Sequence, residues 1–176
     1  MRIFNFQFSI FRQQFRRGFT FIELILYMAI VSIIVGSLVI FAWNIIGGGV
    51  KSSVEQEVYA NARYVSERIK YEIRRASGIT SVAPSSISLT NFSPDTSTAI
   101  DLSSGKVRIS QNGGTPVSLN SADTTVSSLV FTDYRSADNK TKHIQFTLTL
   151  TSNFAQARQE YQGSVSLESS AELRSN

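Results

Sequence analysis

The sequence predicts an α+β fold: one long N-terminal helix laid on a mostly antiparallel sheet. Two observations carry that expectation. Residues 19–76 hold helical apolar spacing, first as a continuous apolar run and then as an amphipathic stripe. From Ser77 onward the period changes to alternation, and 33 of the last hundred residues are Ser or Thr, as suits short strands with one wet face. Four segments result: a basic N-terminal segment at 1–18, a membrane-length helix at 19–46, a glycine hinge with an amphipathic helix at 47–78, and a β-rich globular domain at 79–176.

Charge is unevenly placed along the 176 residues. The net charge is +4, yet Arg2, Arg12, Arg16 and Arg17 lie in the first eighteen residues, which contain no acid. The remainder holds thirteen charges of each sign and is neutral. A neutral domain argues against a nucleic-acid partner without excluding one. Cysteine is absent, so disulfides, thiol nucleophiles and cysteine-ligated metals are excluded. A single histidine, His143, excludes a multi-histidine metal site.

Residues 19–46, FTFIELILYMAIVSIIVGSLVIFAWNII, carry one charge, Glu23. A helix needs roughly 20 apolar residues to cross a bilayer, so this run is long enough. Trp43 and Asn44 suit the far interface, and Gly36 suits close helix packing. The four N-terminal arginines face Lys51 alone on the other side, which predicts a cytoplasmic N-terminus and a C-terminal domain outside. A secretory signal peptide has a shorter apolar core, roughly 7–15 residues, and no acid near its start, although the small residues Gly47-Gly48-Gly49 that follow this run mimic a cleavage region and leave signal cleavage near Gly49 as the alternative.

Glu23 is the most informative residue. A carboxylate inside an apolar helix costs about 2.5–3.5 kcal/mol on insertion scales, so it needs a partner or a wet headgroup position. Its context, Arg16-Arg17-Gly18-Phe19-Thr20-Phe21-Ile22-Glu23-Leu24, resembles the type IV prepilin processing site. That resemblance implies cleavage after Gly18 by a prepilin peptidase and methylation of the new N-terminal amine on Phe19. It makes Glu23 the fifth mature residue, with a role in assembly, and Arg16 and Arg17 the leader's basic residues. Phe21 stands where the family more often has leucine. The physics agrees, because cleavage creates an amine one helical turn from a carboxylate, and in low dielectric such charges favour pairing. Phe4, Phe6, Phe8, Phe11 and Phe15 give the leader apolar bulk that suits the inner membrane surface, although a leader that is simply removed requires no such role.

After Asn44 the chain reads Ile45-Ile46-Gly47-Gly48-Gly49. Three glycines cost a helix about 2–3 kcal/mol relative to alanine, which predicts a hinge or local unwinding. From Val50 to Ala76, apolar residues recur at Val50, Val54, Val58, Ala62, Val65, Ile69, Ile73 and Ala76. This stripe is expected to pack on the β-domain, with the charges forming a solvated face. Glu67 is spaced to pair with Arg63 or Lys70, and Gly78 is a candidate stop. The stretch from Asn61 to Ala76, with Tyr27 in the span, resembles the W-type minor pilins and J-type pseudopilins. That implies a minor subunit that primes assembly.

In the C-terminal part, Lys142–Ser152 alternates with Ile144, Phe146, Leu148 and Leu150 on one face. Residues 126–133, 162–168, 107–109, 116–119, 87–89 and 100–102 read as further strands, and Asn112-Gly113 as a hairpin turn. Many pilins staple this region with a disulfide; this chain has none.

No catalytic constellation emerges. His143 falls on the outward side of its strand, and no other base is available to activate a serine. Asp133, Asp138 and Asn139 share a loop with oxygen ligands, but not at EF-hand spacing, so neither a metal nor a cofactor is expected. Arg135, Lys140 and Lys142 beside Tyr134 form a weak nucleic-acid candidate. The residues and the resemblance together point to a non-enzymatic subunit of a type IV pilus or a type II secretion pseudopilus. Its expected partners are prepilin peptidase, other pilin or pseudopilin subunits, the assembly platform and the membrane. The alternative left open is a membrane-anchored or secreted β-domain for adhesion, ligand or DNA binding.

Overall fold

The computed structural model describes residues 18–136, 141–154 and 158–173. Arg16 and Arg17, and with them Asp138, Asn139 and Lys140, lie outside the described residues. The chain divides after Trp43 into two units. One helix, α1 (Phe21–Arg75), runs from the first unit into the second. Among the described residues eight strands follow: β1 (Gly78–Ala83), β2 (Ser86–Thr90), β3 (Ser97–Ser103), β4 (Lys106–Gln111), β5 (Val117–Ser118), β6 (Thr124–Asp133), β7 (His143–Ser152) and β8 (Ser164–Glu172).

In the first unit α1 is apolar on every side and is long and apolar enough to cross a membrane by length and composition. None of that stretch is buried. A soluble helix hides one face, so an all-round apolar surface calls for lipid or other helices as its covering.

In the second unit α1 is amphipathic. Val54, Val58, Ala62, Val65, Ile69 and Ile73 are buried against the strands, with Val50 partly so. These are the positions that the three-and-four spacing picks out, since such residues share one helix face. The α+β expectation holds: a long N-terminal helix on antiparallel sheets.

Gly47, Gly48 and Gly49 are helical, so the unwinding that their propensity predicts is not seen. Helix on both sides and the buried stripe beginning at Val50 oppose the glycine cost. The helix ends at Arg75, and Gly78 opens β1 instead of serving as a left-handed stop. Ser77 is drawn into strand pairing by donating its N–H to the Thr90 carbonyl at 2.8 Å.

The strands form two sheets where the alternation alone predicts one. A five-stranded meander runs β1-β2-β3-β4-β5, and a second sheet runs β6-β7-β8, with every pairing antiparallel. The break is built around Asn120, which is buried. Its Oδ1 accepts from the Val107 N–H at 3.0 Å and its Nδ2 donates to the Thr124 carbonyl at 2.9 Å, turning the chain from one sheet to the other. Backbone bonds from Phe131 N–H to Pro84 O at 2.8 Å and from Val126 N–H to Gly105 O at 2.9 Å then tie the sheets together.

The hairpin signal is realised between β4 and β5. Asn112 (φ 53°) and Gly113 (φ 70°) are both left-handed, and Gly114 N–H donates to Gln111 O at 2.9 Å, which makes a type I′ turn. In β7 the alternation is complete: Ile144, Phe146, Leu148 and Leu150 are all fully buried. His143 faces outward and half-buried, its ring 6.4 Å from that of Tyr134.

Candidate functional site: the start of the apolar helix

Gly18, Phe19 and Thr20 precede α1, and Phe21 is its first residue. Thr20 is the N-cap. Glu23 N–H donates to Thr20 Oγ1 at 3.3 Å, and Leu24 N–H donates to Thr20 O at 3.1 Å, the first bond of the helical ladder. The sequence selects this start because a threonine followed three residues later by a glutamate suits a helix N-terminus. Glu23 therefore occupies the third helical position, where a carboxylate also complements the positive end of the helix dipole.

The backbone thus leaves the helix at Phe19, and the Gly18–Phe19 bond lies outside the hydrogen-bonded ladder. Phe19 is 74 % exposed, with its ring edge on Tyr27 at a centroid distance of 5.9 Å and an interplanar angle of 67°. Gly18, Phe19, Thr20 and Glu23 line one open depression of about 510 Å³. Glu23 is half-buried and makes no ion pair among the described residues.

Elsewhere the structure changes the reading of the helix charges. Glu67 pairs with Lys70 at 2.6 Å, one of the two partners its spacing offers, and the Lys70 hydrogen bond holds its carboxyl below the ordinary value. Glu72, by contrast, is fully buried and is not part of a solvated face. Its Oε1 accepts from Arg68 at 2.7 Å, and Oε2 has no partner. The signal was present: Glu72 stands three residues after Ile69 and four before Ala76, on the apolar stripe. Asn61 also does structural work the spacing does not reveal, its Oδ1 accepting from the Ser121 N–H at 3.0 Å.

An open groove of about 390 Å³ runs between α1 and the start of β8, lined by Ser52, Gln56, Val58, Tyr59 and Val165 among others. Among the described residues Glu55 is its one charged lining residue, and it lies 4.0 Å from Lys51. Asp133, from the candidate calcium loop, is engaged by Arg135, and Arg135 is likewise committed to that pair. Among the described residues no three of His, Asp and Glu are grouped to hold a metal ion.

A family model described as the prokaryotic N-terminal methylation motif matches residues 14–39. No curated protein and no solved structure matches the chain. The matched segment contains Gly18, Phe19 and Glu23 and the greater part of the exposed apolar helix. Motif and helix together fit a membrane-anchored, type IV pilin-like structural protein.

Proposed function

We propose that this chain is a minor pilin or pseudopilin, a structural subunit of a type IV pilus or type II secretion pseudopilus. A prepilin peptidase cuts after Gly18, and Phe19 becomes the methylated N-terminus. Before assembly the chain spans the inner membrane once, with residues 1–18 in the cytoplasm and the β-domain outside. Its partners are the peptidase, the membrane, other pilin or pseudopilin subunits and the assembly platform.

The observation that carries this reading is the placing of Glu23. It is a carboxylate at the third position of a membrane-length helix, one turn from a bond that lies outside the helix. Cutting that bond creates an ammonium group at the end of the helix. An ammonium and a carboxylate in an apolar setting stabilise each other, while each alone is costly. A subunit whose Glu23 meets the amine of an adjoining subunit therefore gains from entering a filament. The all-round apolar surface from Phe21 to Trp43 fits both stages, lipid first and neighbouring helices afterwards.

Glu23→Ala tests the reading. Cleavage after Gly18 is expected to continue, because the scissile bond and its flanking residues are unchanged. Incorporation into filaments is expected to fall severely. Normal incorporation of Glu23→Ala would remove the assembly role.

A further inference from the structure

We infer that Tyr27 is a positioning residue for processing: its ring holds Phe19 so that the Gly18–Phe19 bond stays free of the helix. This rests on the processing reading above. Thr20 caps α1, so the chain turns out of the helix at Phe19. An N-cap alone does not fix where the preceding residue goes. Proteins commonly fix it with an apolar contact from the residue before the cap to one a turn inside, which sets the angle at which the chain enters. Phe19 is that preceding residue. Its contact reaches further in, to Tyr27, with ring centroids 5.9 Å apart and planes at 67°.

Both rings have the reach for this. A tyrosine in a helix points back toward the N-terminus, over the turn before its own Cα. Phe19, outside the helix, is free to lie down along the same side. The edge-to-face arrangement places the positive rim of one ring on the negative face of the other. With Phe19 pinned at its side chain, its backbone N and the Gly18 carbonyl stand clear of the first turn. A protease acts on an extended peptide whose carbonyl is not engaged in a helix. Among the described residues nothing lies within 4 Å of where a Cβ on Gly18 would stand. The ordinary alternative for Tyr27 is an interface aromatic, anchored by its hydroxyl at the headgroups. The two roles separate on chemistry, since pinning uses the ring and anchoring uses the hydroxyl.

The test uses the full chain in membrane vesicles containing a prepilin peptidase, with cleavage followed over time. The variants are Tyr27→Leu, Tyr27→Phe, Phe19→Leu, the double Phe19→Leu/Tyr27→Leu, and Trp43→Leu as a control for losing an aromatic elsewhere in the span. Tyr27→Leu is expected to slow cleavage about two- to tenfold, the effect of one aromatic pair. Tyr27→Phe is expected to cut at the wild-type rate, and the double variant no more slowly than the slower single one. Trp43→Leu is expected to match wild type. Wild-type cleavage of Tyr27→Leu, equal slowing of Tyr27→Phe or of Trp43→Leu, or additive slowing in the double variant would each overturn the inference. An uncut wild-type chain is a different failure: it removes the processing reading and this inference with it.

Discussion

Arg68 donates to Glu72 Oε1 at 2.7 Å, binding a half-exposed cation to a carboxylate that is entirely buried beneath α1. Arg68 is itself stacked over the Tyr71 ring, 5.4 Å from its centroid. The pair is asymmetric, and so is its expected response to mutation. Arg68→Ala strands a charge in the core and is expected to destabilise the detergent-solubilised chain by about 3 kcal/mol. Glu72→Met removes that charge, and with it the unpartnered Oε2, at similar volume. Its expected cost is below about 1 kcal/mol, or a slight gain. Denaturant midpoints for the two variants check the order; a larger loss in Glu72→Met would contradict it.

Gly105 is expected to be intolerant of any side chain. Its φ is +71°, and a Cβ there would stand 2.7 Å from Thr125 Cγ2. The left-handed backbone alone costs about 1–2 kcal/mol in a residue with a Cβ. Displacing Thr125 adds to it, and the neighbouring bond from Val126 N–H to Gly105 O joins the two sheets. Gly105→Ala should therefore lower stability by about 2 kcal/mol or more in a denaturant titration.

Asn112 acts through its side chain as well as its turn. Oδ1 accepts from the Thr96 N–H at 2.7 Å and the Ser97 N–H at 3.3 Å, and Nδ2 donates to Asp95 at 3.3 Å. Asp95 in turn pairs with Arg75 in the last turn of α1. Asn112→Gly keeps the turn geometry and removes those bonds, with an expected loss of about 1–2 kcal/mol. Little or no loss would show that the turn alone matters.

Asp133 gives an acid-dependent contribution. Burial raises its pKa, but the Arg135 side chain and backbone N–H, at 2.6 and 3.0 Å, outweigh that and hold it below its ordinary 3.8. A lowered carboxylate pKa favours the charged form in the folded chain. Its stabilisation is thus present at neutral pH and lost as pH falls through the folded value, below 3.8. The stability gap between wild type and Asp133→Asn should be modest at pH 7, under about 1 kcal/mol, and should shrink toward zero in stronger acid.

The helix and most strands were legible because burial follows spacing. The stripe from Val54 to Ile73 and the alternation in β7 both emerged buried as their periods require. Three features escaped for separable reasons. The strand β1 has no fully buried residue, so alternation had no apolar face to register. The split into two sheets depends on Asn120, a polar residue whose importance comes from its buried hydrogen bonds and not from its neighbours in sequence. Glu72 was hidden by its charge, although its position on the stripe was the better guide. At the candidate site, type and spacing picked out Gly18, Phe19 and Glu23, which fall within the segment that the methylation motif matches. The N-cap geometry of Thr20 and the contact between Phe19 and Tyr27 needed coordinates.

The most direct measurement is the intact mass and N-terminal residue of the chain extracted from membranes of a host with a prepilin peptidase. Processing after Gly18 predicts a chain that begins at Phe19 and is one methyl group heavier than its sequence. A chain that begins near Gly49, or one left at full length, would contradict it.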